Sequence, residues 1–329
     1  MDQTSYRTIS RYLKKLKLQA ATAEDKRNVE TLRQDLEATL RRCPGFHNAE
    51  VHLFGSFESG LSTTTSDADF TVYNFVSSGI EKPIHVLARI LRTAGYGPIT
   101  TISHARVPIV SFVEQDIHCD ISINQHMGVF NSQLINTYQT IDTRFLGLWF
   151  GIRHLARQHG ILGGSTGYLS SYALTMMLIV FLQDVTSPPI LPRLQQQRAD
   201  KMLSCLIDEY HCAYDRNPRD YTSLANKNNK SEGELLADFC KYYGYKFSYS
   251  TQEVNPCLGV IRSWSVSPPP RSRTDMRPKD WAMCILDPFI PKRNVAGNCR
   301  AKQVSDIQMC FRSASAALEL CDIDRAFKR

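Results

Sequence analysis

The sequence predicts an α+β protein, and three observations carry that prediction. Short apolar runs of strand length cluster at residues 51–54, 70–75, 107–113 and 117–123. Apolar residues at helical spacing precede that cluster and follow it, so strands and helices are segregated along the chain rather than alternating. One helix is expected among the strands, over residues 84–94, and Gly95 suits its C-terminal cap.

Before the strands, Ile9, Tyr12, Leu13 and Leu16 share one helical face. Thr22 precedes Asp25 by three positions, a capping-box pattern, and Val29, Leu32, Leu36 and Leu40 form a second apolar stripe. Two helices are therefore expected, each burying its stripe against a partner domain. After the strands, Phe145, Leu148, Trp149, Ile152 and Leu155 lie on one face, and residues 173–182 read as a core helix. Ser231 and Glu234 make another capping box, opening a helix that Gly244 ends. Ile307, Cys310, Phe311, Ala314 and Leu318 mark the last helix. Residues 262–281, rich in Pro, Ser and Arg, read as a mobile loop.

The totals narrow the function classes. A chain of 329 residues with 43% apolar content can supply one large or two medium cores. No apolar run reaches the length of a membrane span, and the basic N-terminus lacks the apolar core of a secretory signal. Ten cysteines are scattered without a C-x-x-C pair, which reads as reduced thiols in a cytoplasmic or nuclear protein. A net charge of +7 is compatible with a polyanionic partner. No internal repeat and no auxiliary RNA-binding module is recognised, and no membrane partner is expected.

The chemistry centres on residues 53–75, LFGSFESGLSTTTSDADFTVYNF. Side chains two apart in a strand share a face, so Asp67 and Asp69 are expected to project into one site. Two close carboxylates repel, and a divalent cation relieves that conflict through oxygen ligands. On its own the pair also reads as a solvated strand edge. Gly55 lets backbone approach a phosphate, and the Ser56 hydroxyl and N–H can bond it. Asp120 sits inside an apolar strand, HCDISIN, where an acid needs a metal or a basic partner. Arg153 and Arg157, four apart, share a helix face that reads either as solvated or as a phosphate site.

Gly55-Ser56 followed by Ser66-Asp67-Ala68-Asp69-Phe70, between two strand-like runs, resembles the nucleotidyltransferase superfamily of DNA polymerase β. The resemblance is closer to its RNA-tailing branch, the poly(A)- and poly(U)-adding enzymes. LSSYAL at residues 169–174, PPILPRLQ after it, ELLADFCKYYGY, and ILDPFIPKRNV extend it over about residues 45–300; the last two resemble the poly(A)-polymerase-associated domain. The resemblance implies a mixed-sheet catalytic palm, residues 44–143, inserted into a mostly helical central domain, residues 1–43 plus 144–329, with a cleft between them.

It also implies roles for named residues. Asp67, Asp69 and Asp120 would hold Mg²⁺, with Mn²⁺ as a substitute. Gly55, Ser56 and Ser66 would cradle the nucleotide. Asn131 and Ser132 would contact the ribose, although both types also favour a plain turn. Arg153 and Arg157 stand where the family has two lysines for the β- and γ-phosphates, and arginine adds bidentate geometry. Ser171 goes to the phosphates and Tyr172 stacks on the base. In uridylyl-transferring relatives a histidine precedes Asn-Val and favours UTP; here Arg293 replaces it, as in fungal CutA-type enzymes that add C-rich tags. Arginine has only donors and suits cytosine O2 and N3, while Asp287 is expected to accept from the N4 amino group.

The expected activity is template-independent addition of ribonucleotides, CTP before UTP, to RNA 3′ ends, with release of pyrophosphate and C/U tagging of mRNA. The partners would be an RNA 3′ end and a nucleoside triphosphate, on a cytoplasmic monomer. The alternatives are a UTP- or ATP-specific tailing enzyme, a synthase of oligonucleotide second messengers, and an inactive RNA-binding relative.

Overall fold

The structure is a computed structural model that describes residues 3–75, 81–105, 107–197, 205–264 and 281–328. Most of the loop expected at 262–281 lies outside the described residues. The chain divides into two compact units, Gln19–Asn136 with Ile207–Glu209, and Met1–Leu18 with Thr137–Leu206 and Tyr210–Arg329.

The first unit is built on a five-stranded mixed sheet. Its strands are β1 (Glu50–Phe54), β2 (Ala68–Tyr73), β3 (Thr100–Ile102), β4 (Ile109–Glu114) and β5 (Ile117–Ile123), in the order β1-β2-β5-β4-β3. β2 and β5 run parallel, and the other neighbours are antiparallel. β3 was not expected: with three residues, none of them buried, it lacks the apolar run that marks an inner strand.

Alternation sends Phe70, Val72, Cys119 and Ile121 into the core, where each is at most 1% exposed. A helix, Pro83–Thr93, covers that face with Ile84, Leu87 and Leu91. Gly95, at φ +88°, closes it as expected. The helix Ala23–Arg41 covers it too. Its capping box forms through Thr22 and Asp25, and Val29, Leu32, Leu36 and Leu40 pack in the same core as Val51 and Phe70. This corrects the expected boundary at residue 44: the second helix belongs to the sheet, because its stripe is the sheet's missing layer.

The second unit is helical. Gln3–Lys17 buries Ile9, Leu13 and Leu16 and packs against Arg144–Gln158 and Glu232–Lys241. Gly151 makes the first contact close, because a Cβ there would strike the Leu13 side chain. Ser171–Val180 is buried all round from Ala173 and continues as a π-helical turn, Phe181–Val185. Ala301–Glu319 completes the core with Ile307, Phe311, Ala314 and Leu318. A three-stranded sheet joins Cys284–Ile285, Gln252–Asn255 and Val260–Ser263. No helix among the described residues is long and apolar enough to cross a membrane.

Candidate active site

In the sheet unit, Asp69 and Asp120 are cross-strand partners on parallel β2 and β5. Their neighbours Phe70, Cys119 and Ile121 fill the core, so both carboxylates stand on the opposite face. Burial, then the charge of Asp120, then that of Asp67, pushes the Asp69 carboxyl up to about 7. Asp67 itself is exposed and precedes the strand, which starts at Ala68. The acids therefore comprise a strand pair with a third charge at its mouth, not two neighbours on one strand. Ser111, opposite Asp120 on β4, donates its hydroxyl to Asp120 Oδ1. The sequence carried no signal for this serine, because only the register reveals it.

Gly55 opens a short helix, Gly55–Glu58, at φ +68°. A Cβ at that position would collide with the Asp69 carboxylate, so the glycine is required both for its backbone conformation and for its lack of a side chain. Its N–H donates to Ser132 Oγ at 2.9 Å, and Ser132 donates in turn to the Gly128 carbonyl at 2.8 Å. Ser132 thus holds the glycine turn through one lone pair of Oγ and spends its proton on its own helix, which leaves one acceptor site on that oxygen. Asn131 and Ser132 lie in the helix His126–Ile141, not in a turn. Asn131 is 7% exposed, and its Oδ1 has no hydrogen-bond partner among the described residues. A buried acceptor left open in this way calls for a donor. Ser66 bonds Thr63 through its hydroxyl at 2.9 and 3.0 Å, which shapes the loop before Asp67. Ser56 follows Gly55 in the short helix and is partly exposed.

The carboxylate donors suit a hard cation such as Mg²⁺, and the burial and neighbouring charges that raise the Asp69 carboxyl are both offset by a bound cation. As they stand, no three or more His, Cys, Asp or Glu side chains among the described residues form a ready-made metal cluster. The fit is one of donor chemistry, with Asp69 and Asp120 as its closest pair.

In the helical unit, Arg153 and Arg157 lie along Arg144–Gln158. The Arg153 guanidinium sits 5.5 Å from the centre of the Trp149 ring, and burial and then the Arg157 charge hold its pKa below the usual range. Ser170 caps the next helix by accepting from the Ala173 N–H at 3.0 Å, leaving Ser171 exposed in the first turn. Tyr172 follows; its hydroxyl donates to Asp287 Oδ2 at 3.3 Å. Arg293 Nη1 meets the same oxygen at 3.4 Å. Asp287 is 0% exposed, and its Oδ1 accepts from the N–H groups of Phe289 and Ile290. An ionised carboxylate has about four acceptor sites. All are engaged, so the expected pairing of Asp287 with a base amino group has no free acceptor. The structure brings Tyr172, Asp287 and Arg293 together.

Residues 7–140 match the central palm domain of mitochondrial-like poly(A) RNA polymerases, and residues 232–293 match the Cid1 family poly(A) polymerase domain. A structure of Cid1, described for its RNA terminal uridylyl transferase activity, superposes with a TM-score of 0.86 at 22% identity, covering 98% of each chain. The chain thus shares the fold of that structure, a mixed sheet with helices in an α+β architecture. A structure of a mutant Cid1 poly(U) polymerase bound to MgATP has a TM-score of 0.80 at 22% identity over 97% of this chain and 98% of its own. Poly(A) RNA polymerase cid11 of Schizosaccharomyces pombe is 30% identical over 80% of this chain and 53% of its own length. The chain thus spans about half the length of the first curated relatives it matches.

Proposed function

We propose that this chain is a template-independent RNA 3′-terminal nucleotidyltransferase that prefers CTP, then UTP, and tags mRNA ends with C and U. The observation that carries the transferase reading is the Asp69–Asp120 pair behind the Gly55 turn. Only glycine fits beside Asp69, and burial, then the charges of Asp120 and Asp67, push the Asp69 carboxyl up to about 7. Asp67, Asp69 and Asp120 would hold Mg²⁺, or Mn²⁺ in its place. When bound, the cation favours ionisation of an attacking hydroxyl and neutralises charge on the leaving phosphates.

The chain's own residues do the rest. Gly55 and Ser56 give the triphosphate a close backbone approach. Asn131 Oδ1, buried and open, accepts from a ribose hydroxyl, which favours ribonucleotides. Arg153, Arg157 and Ser171 take phosphate charge, and the Tyr172 ring stacks on the base. Arg293 keeps N–H donors beyond the one aimed at Asp287. These satisfy O2 and N3 of cytosine, whereas the N3–H of uracil meets a cation that cannot accept it. The ten cysteines are free thiols, which suits a reducing compartment, and we assign the enzyme to the cytoplasm as a monomer.

The test is purified protein with Mg²⁺, a labelled short RNA and each NTP in turn. Extension fastest with CTP is the expected result. Fastest extension with ATP or UTP overturns the base assignment. Soluble oligonucleotide products point to a second-messenger synthase, and no reaction points to an inactive relative.

A further inference from the structure

Residues 287–293 form a turn stapled from several sides. The Asp287 N–H donates to the Arg293 carbonyl at 2.9 Å, and the Arg293 N–H to the Ile290 carbonyl at 2.9 Å. Asn294 accepts from the Ile285 and Ala296 N–H groups and donates to the Met283 carbonyl, at 3.1, 3.0 and 2.8 Å. Pro288 and Pro291 restrict the backbone further. Asp287 is the centre of this turn. Its Oδ1 holds the backbone through Phe289 and Ile290 at 3.0 and 3.1 Å. Its Oδ2 holds two side chains from opposite directions in sequence, Tyr172 and Arg293. Burial, then the Asp287 charge, keeps the Tyr172 hydroxyl well above its ordinary pKa, so it remains a donor to that oxygen.

We propose that Asp287 is a positioning residue that sets nucleobase choice without touching the base. It fixes the Tyr172 ring and the Arg293 guanidinium relative to each other through one carboxylate oxygen. This rests on reading Tyr172 and Arg293 as the base-contacting pair. The physical reason is preorganisation. The Arg293 side chain is 42% exposed, and a long side chain of that kind loses rotamer freedom when it binds. A partner held rigidly by the turn removes that loss before the nucleotide arrives. Without the carboxylate the guanidinium keeps its charge but not its direction, so discrimination suffers more than attraction for the triphosphate.

The experiment is Asp287→Asn in the full chain, assayed for RNA extension with CTP and with UTP. Asparagine keeps an oxygen for the Phe289 and Ile290 N–H groups but turns a donor toward Arg293. The CTP:UTP ratio of kcat/KM is expected to fall by about tenfold, within the range of coupled contacts, with the loss larger in KM for CTP than in kcat. In an Arg293→Ala background the same substitution should leave the ratio where Arg293→Ala put it. An unmoved ratio in the wild-type background overturns the proposal. So does an equal change in both backgrounds, which would mean that Asp287 reads the base itself.

A second cycle avoids altering the buried carboxylate. Tyr172→Phe and Arg293→Ala should be non-additive in the ratio if one oxygen joins them, and additivity overturns the proposal. A wild-type protein that extends no RNA instead condemns the tailing reading, which separates the two failures.

Discussion

The two units treat buried carboxylates in opposite ways. In the sheet unit, Asp69 faces Asp120 and Asp67, and burial with their repulsion pushes it up to about 7. In the helical unit, Asp287 is wholly buried, yet two backbone N–H groups, a tyrosine hydroxyl and a guanidinium surround it. A buried charge is costly unless it is paired. Where the chain supplies the pairing, the carboxylate fixes geometry before any ligand arrives. Where the chain withholds it, the ligand must bring the opposite charge.

The sharpest way to break this contrast is to remove the uncompensated charge. Asp69→Ala is expected to cut RNA extension by at least about 10³-fold, the scale of losing a catalytic group. Its thermal unfolding midpoint should equal or exceed that of the wild type, because a repulsive charge has gone. Activity near the wild-type level, or a collapse of the fold, would mean that Asp69 is structural after all. Mg²⁺ gives a readout independent of activity: a ligand that binds only the folded chain raises its unfolding midpoint. The wild type should show that rise in a Mg²⁺ titration, and Asp69→Ala should lose it.

Gly55→Ala probes the same site from the backbone side. The residue sits at φ +68°, and a Cβ would collide with the Asp69 carboxylate. A strained backbone of this kind costs about 1–3 kcal/mol, so a lower denaturation midpoint should accompany lost activity. A variant as stable and active as the wild type would show that the turn has slack. On the compensated side, Tyr172→Ala is expected to weaken binding of all four NTPs by about 1–3 kcal/mol, the worth of a base–aromatic stack. Loss confined to one base would move Tyr172 from stacking to readout.

Local signals in the sequence carried much of this. The apolar stripes of the first two helices, both capping boxes and the buried run after Ser171 follow from spacing alone, and each is present. Spacing could not say which core a stripe joins, so Ala23–Arg41 was expected on the helical side and lies under the sheet. It placed Asp67 inside a strand that begins one residue later. The partners of the polar groups were less legible still. Ser111 meets Asp120 only through the register of β4 on β5, and Tyr172 meets Asp287 across 115 positions. Chain pattern determines which residues are buried, but long-range packing determines which polar atom satisfies which. That is why the spacing showed neither the Gly55 N–H on Ser132 nor the four donors of the chain around Asp287.

The contrast has one exception inside the helical unit, and it gives the smallest expected effect. Arg153 and Arg157 are two cations on one helix face, and neither makes an ion pair among the described residues. Burial and then the neighbouring Arg157 charge lower the Arg153 pKa, the positive counterpart of the Asp69 conflict. An incoming polyphosphate would relieve it with charge-assisted hydrogen bonds. The competing account is packing, since the guanidinium lies over the Trp149 ring, a contact worth about 0.5–1 kcal/mol at a partly exposed site. Arg153→Ala separates them. A phosphate role predicts KM raised several-fold for every NTP alike, on the order of 1 kcal/mol for one solvent-accessible hydrogen bond, and weaker inhibition by tripolyphosphate, with kcat and the unfolding midpoint nearly kept. A packing role predicts the reverse: a lowered midpoint with unaltered tripolyphosphate inhibition.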